Sequence, residues 1–220
     1  MNPVLQFENV GVRMSAAREL LSDLHLSLAP GEVAVVGGKS GSGKTLLAAT
    51  AAGDRAPDRG RVRLLGDDVT AVQRRDRARL RQKVGWSADM PMLLPELTAA
   101  ENVALPLIVA GAPRAAARAD AAELLGWLGE RDPRRKARRC GEDEILRIGV
   151  ARALVARPTL AVLDEPLRRD GISVDRLATL MAELRRTGTA FLVTSDDAGL
   201  ATRLDATAVF TLAGGRLVTA

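Results

Sequence analysis

The eight residues from 38 to 45, which read GKSGSGKT, constrain this chain more than any other segment. They match the pattern G-x-x-x-x-G-K-[ST], with a β-branched run at 33–36 before them and a helical pattern at 46–52 after them. Glycines let the backbone take positive φ and approach an anion, which the loop N–H groups and the helix N-terminus then surround. The segment therefore predicts a phosphate-binding loop between a buried strand and a helix.

This loop predicts that the ligand is a nucleoside triphosphate, ATP, bound with Mg²⁺. We expect Lys44 to reach the β- and γ-phosphates, with a part in catalysis, and the Thr45 hydroxyl to ligate Mg²⁺. The predicted nucleotide-contacting residues are Gly38, Lys39, Ser40, Gly41, Ser42, Gly43, Lys44 and Thr45. The alternative is an ordinary Gly-Ser turn, which the strand and helix on either side disfavour.

A second candidate segment, LAVLDE at residues 160–165, ends in two acids and is followed by Pro166. A buried strand that ends in acids presents carboxylates at the carboxyl edge of the sheet, where α/β folds bind ligands. We expect Asp164 to hold Mg²⁺ mainly through water, because this ion gives up its water reluctantly. Glu165 would polarise the attacking water as a catalytic residue. The alternative is a surface turn that carries two unremarkable acids.

Strands alternate with helices along the chain, which predicts an α/β fold with a mainly parallel sheet and helices on both faces. The predicted strands are 4–10, 24–28, 33–36, 61–65, 160–163 and 190–194. The predicted helices are 46–52, 115–128 and 177–186. We predict one domain over 1–220, with a core of about 1–88 and 155–220 and a helical insertion of about 89–154. A chain of 220 residues, 47% of them apolar, is sufficient for one sizeable core.

Composition limits the function further. The single cysteine, Cys140, excludes an internal disulfide and fits a reducing cytoplasm. No apolar run approaches the roughly 18 to 20 residues of a membrane span, and the start does not resemble a secretory signal.

The net charge of +5 comes mainly from arginine, with clusters at Arg74, Arg75, Arg77, Arg79 and Arg81 and at Arg131, Arg134, Arg135, Lys136, Arg138 and Arg139. A solvated helical face is the favoured interpretation of these clusters, and contact with an anionic membrane surface or a membrane partner is the alternative. We expect no nucleic-acid partner, since no aromatic residues are interleaved with the clusters.

Three further segments extend the pattern: LTAAENVALPLIVAGAPR at 97–114, ARALVARPTLAVLDEP at 151–166 and GGRLV at 214–218. With the two motifs above, they resemble the ATP-binding cassettes of ABC transporters, in the lipoprotein-release, macrolide-export and cell-division group. The resemblance covers nearly the whole chain. It implies a P-loop NTPase fold of the ABC type, with an N-terminal antiparallel β portion and a helical subdomain. It also implies an integral-membrane permease as partner and a location on the cytoplasmic face of the cell membrane.

By this resemblance two cassettes enclose two ATP molecules, each between one phosphate loop and the partner's signature motif. Several family motifs are replaced in this chain. Met14 occupies the place of the aromatic residue that stacks on adenine, which predicts poor discrimination between ATP and GTP. Asp89 occupies the place of the Q-loop glutamine. An acid there would ligate Mg²⁺ as a charged carboxylate instead of a neutral amide, and it would repel the γ-phosphate.

The signature, usually Leu-Ser-Gly-Gly-Gln, aligns with Cys-Gly-Glu-Asp-Glu at 140–144, and LRRDG at 167–171 replaces the D-loop. Ser195 stands in place of the switch histidine, and the only histidine, His25, lies upstream of the phosphate loop. Like charges a few Å from a phosphate cost on the order of kcal/mol each. The replacements predict weak hydrolysis and favour a heterodimer with a second cassette over a homodimer.

Two functions remain. The first is the ATP-binding subunit of a transporter, with weak hydrolysis of its own. The second is a catalytically impaired regulatory or assembly cassette, which binds nucleotide while a partner cassette hydrolyses it. Cassettes of DNA repair or translation form a third class, which the single compact chain disfavours.

Overall fold

The computed structural model describes residues 2–15, 18–71, 79–168 and 171–219, with the backbone alone at 14, 15 and 18. Of the predicted basic residues, Arg74, Arg75 and Arg77 lie outside these ranges.

The N-terminal part of the chain forms a four-stranded antiparallel sheet in the order β2-β1-β4-β5. Its strands are β1 (Leu5–Ser15), β2 (Arg18–Leu28), β4 (Arg59–Leu64) and β5 (Asp67–Asp68). The predicted N-terminal antiparallel portion is therefore confirmed.

A six-stranded sheet in the order β10-β9-β3-β8-β7-β6 forms the centre of the molecule. All its pairings are parallel except that of β9 with β10, which is antiparallel. The strands are β3 (Val33–Gly37), β6 (Val84–Ser87), β7 (Leu160–Asp164), β8 (Ala190–Ser195), β9 (Ala208–Ala213) and β10 (Arg216–Thr219). The carboxyl ends of β3, β8, β7 and β6 thus meet at one edge of the sheet, where α/β folds bind ligands.

Helices cover both faces of the central sheet, as predicted. They are α1 (Lys44–Ala51), α2 (Ala99–Val109), α3 (Arg114–Trp127), α4 (Glu142–Leu154), α5 (Val174–Arg186) and α6 (Leu200–Arg203). One apolar core joins α1 and the antiparallel sheet to the side chains of Ala34, Val36 and Val162. The other core joins the remaining helices to the opposite face through Val33, Val35 and other residues.

Helices α2, α3 and α4 all fall within the predicted insertion of about 89–154. Its division from the core stays a prediction. No helix in the described ranges is both long enough and apolar enough to cross a membrane.

The sequence did not predict strands β5, β6, β9 and β10. β6 is only four residues long and contains Gly85, and glycine is unfavourable inside a strand. The sequence signal for this strand is therefore weak. The structure gives the reason for this glycine, because a Cβ there would lie 2.0 Å from the carbonyl oxygen of Ala153 in α4. β6 forms the edge of the sheet on which α4 packs, and Asp89 follows it by two residues.

Candidate functional site

The phosphate-binding loop connects β3 to α1 at the carboxyl edge of the central sheet. Gly38, Gly41 and Gly43 have φ of 153°, 78° and 107°, values that side chains disfavour. A Cβ at Gly43 would also lie 2.8 Å from a methyl carbon of Leu21, so the loop passes close to β2. The glycines therefore give the loop the conformation that the sequence predicted, directly before the first turn of α1.

Lys44, the first residue of α1, is buried and turns back over the loop. Its Nζ donates to the carbonyl oxygens of Gly38, at 2.7 Å, and of Lys39, at 3.3 Å. The same Nζ lies 3.1 Å from Oε1 of Glu165, and both side chains are at least nine-tenths buried. The structure thus brings together the two residues predicted to act in catalysis, although Lys44 begins α1 and Glu165 follows β7.

Asp164, the last residue of β7, is fully buried. Its Oδ1 accepts a hydrogen bond of 2.5 Å from the hydroxyl of Thr194, and Thr194 Oγ1 in turn accepts from the Glu165 N–H at 3.1 Å. Asp164 Oδ2 is buried and has no hydrogen-bond partner among the described residues. A buried carboxylate oxygen without a partner needs a positively charged or donating ligand.

The donor set fits Mg²⁺ held through water. The free oxygen of Asp164 and the exposed hydroxyl of Thr45 are the oxygen ligands that this ion prefers. Within the described ranges, no group of three or more His, Cys, Asp or Glu residues could hold a metal by itself. Phosphate and water oxygens would therefore have to complete the coordination.

Glu165 follows β7 with a φ of 49°, in the left-handed region that few residues other than glycine adopt. Its Oε2 accepts a hydrogen bond of 3.3 Å from the N–H of Asp196, which follows β8. The carboxylate is therefore held between Lys44 on one side and the end of β8 on the other.

A cavity of about 790 Å³ opens over the loop. The predicted site residues on its wall are Ser40, Gly41, Gly43, Lys44, Thr45, Asp89 and Glu165. Gly38, Lys39 and Ser42 instead line a second cavity, of about 670 Å³, between the loop and β9. Asp164 lines neither cavity, and its role as a ligand of Mg²⁺ through water stays a prediction.

Asp89 is not the isolated acid that the sequence predicted. Its Oδ2 forms an ion pair with the guanidinium of Arg168, which lines the same cavity. Asp89 Oδ1 is buried and has no hydrogen-bond partner among the described residues. Arg168 offsets the negative charge of Asp89 while the pair persists, and the expected repulsion of the γ-phosphate stays a prediction. No sequence signal points to this pair, because the two residues are 79 positions apart.

Ser195, in the place of the switch histidine, ends β8 and is 5% exposed. Its Oγ accepts a hydrogen bond of 3.0 Å from the N–H of Asp197 and so stabilises the turn that follows. Ser195 also lines a cavity of about 330 Å³ with Glu165, so it lies beside the predicted catalytic carboxylate.

The segment aligned with the signature leads into the N-terminus of α4, whose first turn holds Glu142, Asp143 and Glu144. Glu144 accepts a hydrogen bond of 2.7 Å from the N–H of Gly141 and pairs with Arg135 at 2.9 Å. Acids in this position stabilise the positive end of the helix dipole. The helix N-terminus is thus neutralised within the chain.

Cys140 precedes this turn and is partly buried. Burial, followed by the nearby Glu144 carboxylate, raises the pKa of the Cys140 thiol to about 11. The thiol therefore stays protonated at neutral pH and is a poor nucleophile.

The second basic cluster, at 131–139, lies on turns and a short 3₁₀ helix (Ala137–Arg139) instead of the expected helical face. Three of its cations pair with acids: Lys136 and Arg138 with Glu96, and Arg135 with Asp132 and Glu144. The side chain of Met14 lies outside the described part of the chain, so the prediction for the adenine site stays a prediction.

Comparisons with known proteins identify the family of this chain. The sequence model of the family described as ABC transporter matches residues 21–168. The lipoprotein-releasing system ATP-binding protein LolD of Pseudomonas syringae pv. tomato is 37% identical over 225 residues, which cover 99% of this chain and 98% of that protein. LolD of Pseudomonas fluorescens is 39% identical over 191 residues, 84% of each chain.

Solved structures show the same fold. The dimeric structure of MJ0796, a bacterial ABC transporter cassette, matches with a TM-score of 0.86 at 25% identity, over 97% of this chain and 96% of that one. A second MJ0796 structure, of a post-hydrolysis state bound to ADP and Pi, also matches with a TM-score of 0.86, at 24% identity. The phosphate loop, the acidic end of β7 and these matches together show that this chain belongs to the ATP-binding cassette family of ABC transporters.

Proposed function

We propose that the chain is the ATP-binding subunit of a transporter, which binds Mg-ATP and couples it to a membrane permease. The observation that carries this proposal is the convergence of Lys44, Thr45 and Glu165 on one cavity beside the buried carboxylate of Asp164. The relatives named as ATP-binding proteins of lipoprotein-releasing systems support the same assignment.

In this function the loop N–H groups and Lys44 hold the phosphates, and Asp164 and Thr45 hold Mg²⁺. The ion would supply positive charge to the phosphate oxygens. Lys44 has to give up its contact with Glu165 in order to reach the phosphates. Nucleotide binding therefore releases the Glu165 carboxylate, which can then orient a water molecule toward the γ-phosphate.

The permease contact is proposed for residues 90–94, directly after Asp89. Met90, Met92 and Leu94 are 55%, 89% and 50% exposed, which is unusual for large apolar side chains. Arg152 of α4 donates to the carbonyl oxygen of Met92 at 2.8 Å and ties this segment to the helical part. A partner that covers these side chains would move Asp89 at the wall of the nucleotide cavity. The chain would then lie peripherally on the cytoplasmic face of the membrane.

Hydrolysis by this chain is proposed to be weak. Ser195 offers a short, neutral hydroxyl where a histidine would offer a longer side chain that can carry positive charge, and the N-terminus of α4 offers acids to a partner's nucleotide. The loss of one preorganised donor typically costs roughly 10²–10³ in rate. The same observations favour the second candidate, a regulatory or assembly cassette whose partner hydrolyses ATP.

Calorimetry with Mg-ATP tests the binding function. Wild type should bind, and Lys44→Ala should lose at least about tenfold in affinity, because a hydrogen bond to a charged group contributes roughly 1.5–3 kcal/mol. Lys83→Ala is the matched control, since Lys83 is exposed and lies outside the cavity. Equal affinities of wild type and Lys44→Ala would rule out the phosphate loop as the binding site.

A further inference from the structure

The ion pair between Asp89 and Arg168 forms part of the wall of the cavity over the phosphate loop. Asp89 follows β6 and Arg168 follows β7, and these parallel strands are neighbours. Both side chains therefore emerge at the sheet edge that also carries Lys44 and Glu165. The fold therefore places the two residues side by side at this edge.

The Arg168 end of this ion pair is open to solvent, because the Arg168 side chain is 47% exposed whereas that of Asp89 is 19% exposed. Solvent screens the guanidinium, so the pair is weaker than one that is buried at both ends. A guanidinium also binds phosphate well, because two parallel N–H groups can match two phosphate oxygens. A phosphate that enters the cavity would therefore compete with Asp89 for Arg168.

The cations on the cavity wall are few. Lys44, Arg55 and Arg168 are the cations among the described residues that line the cavity, against four acids: Asp54, Asp89, Glu165 and Asp196. Lys44 is held by the loop and Glu165, and Arg55 donates to the carbonyl oxygen of Arg13. Arg168 is thus the cation on the Asp89 side of the cavity.

We infer that Arg168 binds the γ-phosphate of the ATP held by its own chain, and that Asp89 holds the guanidinium at the cavity wall until that phosphate arrives. The inference rests on the proposed function and adds a phosphate-binding residue to it. ADP lacks the γ-phosphate and leaves the pair intact. Arg168 therefore distinguishes ATP from ADP within a single cassette.

Calorimetry with Mg-ATP and Mg-ADP tests this on Arg168→Gln, Asp89→Asn and the double variant. Arg168→Gln should weaken ATP binding about tenfold or more and change ADP binding by less than about twofold. Asp89→Asn should bind ATP at least as tightly as wild type, since it frees the guanidinium. The double variant should still bind ATP about tenfold more weakly than Asp89→Asn. Arg138→Gln is the matched control, because Arg138 is 48% exposed, pairs with Glu96 and lines neither the cavity over the loop nor the one beside Ser195.

The Asp89→Asn background separates the two possible roles of Arg168. If Arg168 only neutralised Asp89, the double variant would bind ATP as tightly as Asp89→Asn, and the inference would be overturned. Equal losses for ATP and ADP in Arg168→Gln would overturn it too. In both cases wild type still binds Mg-ATP and the proposed function stands. A wild type that does not bind Mg-ATP would overturn both.

Discussion

At the scale of single residues, the charged groups of the site are satisfied by one another. Lys44 contacts two loop carbonyls and Glu165, while Asp89 pairs with Arg168. A triphosphate with Mg²⁺ would have to replace the contact of Lys44 with Glu165. Asp164 Oδ2, Asp89 Oδ1 and Ser42 Oγ need no such exchange, because each is buried without a hydrogen-bond partner among the described residues.

Glu165 is expected to carry the slow hydrolysis that remains. Glu165→Gln keeps the side-chain size and should bind Mg-ATP while its turnover falls to background, because the amide cannot accept a proton from water. Steady-state phosphate release measures this rate.

Ser195→His tests whether the missing histidine alone explains the weak hydrolysis. It should raise the rate little, because the acids at 142–144 remain and the hydrogen bond to the Asp197 N–H is lost. Wild-type turnover within the usual enzyme range of about 1–10³ per second would contradict the proposal of weak hydrolysis.

The motifs predicted the loop and the acidic strand end because each is continuous in sequence. Thr194 and Arg168 could not be predicted in this way. Thr194 contacts Asp164 only because β8 lies parallel to β7 with these two residues in register. Arg168 meets Asp89 because β6 lies on the other side of β7. Such contacts depend on strand order, which a single sequence does not contain.

At the scale of elements, two glycines bring α4 close to the segment that carries Asp89. Gly85 of β6 faces the backbone of α4, and Gly149 of α4 faces the ring of Pro91. The sequence showed α4 as helical but gave no reason for a glycine in its interior, where glycine usually destabilises. The structure supplies that reason as close packing.

Gly149→Ala should therefore destabilise the protein, although alanine is the better helix former. The added Cβ would lie 2.2 Å from Cγ of Pro91 and 3.1 Å from Oγ of Ser87, and a proline ring cannot rotate away. Overpacking of this kind typically costs about 1–3 kcal/mol in the free energy of unfolding. Urea unfolding measures the change.

Gly126→Ala in α3 is the matched control, because no heavy atom lies within 4 Å of the added Cβ. Alanine should stabilise the helix there, by up to about 1 kcal/mol. If both variants shifted the unfolding midpoint in the same direction, close packing at Gly149 would not be the cause.

At the scale of the whole molecule, two cores on opposite faces of one sheet position the site. One core fixes α1 and the loop against the antiparallel sheet, and the other fixes α4 and its acidic N-terminus. Arg147 of α4 joins this helix to the segments after α3 and after β7, through a buried pair with Glu130 and a 2.7 Å hydrogen bond to the Gly171 carbonyl oxygen. The position of the α4 N-terminus is therefore set by contacts on its own side of the sheet, apart from those that hold the loop.

Closure of two identical chains on ATP should be unfavourable because of the acids in the first turn of α4. In a homodimer each nucleotide would face Glu142 and Asp143 of the opposite chain, which repel the γ-phosphate and replace close-approach glycines. ATP would then not bind the closed dimer better than the open monomer, so it could not drive closure. A partner cassette with an unaltered signature would place a hydroxyl and glycines, instead of acids, against the ATP held by this chain. One of the two nucleotide sites would then be better than in the homodimer, which is why a heterodimer is proposed.

Glu165→Gln, which should prevent hydrolysis and trap a competent dimer, is therefore expected to remain monomeric with Mg-ATP in size exclusion with light scattering. In the same background, Gly141→Ser, Glu142→Gly and Asp143→Gly together should promote dimers, because they remove two carboxylates and return a hydroxyl. Circular dichroism of both proteins checks that α4 persists without its acidic cap. A nucleotide-dependent homodimer of Glu165→Gln with residues 140–144 untouched would refute the heterodimer proposal, since the carboxylates would then be compatible with a closed site.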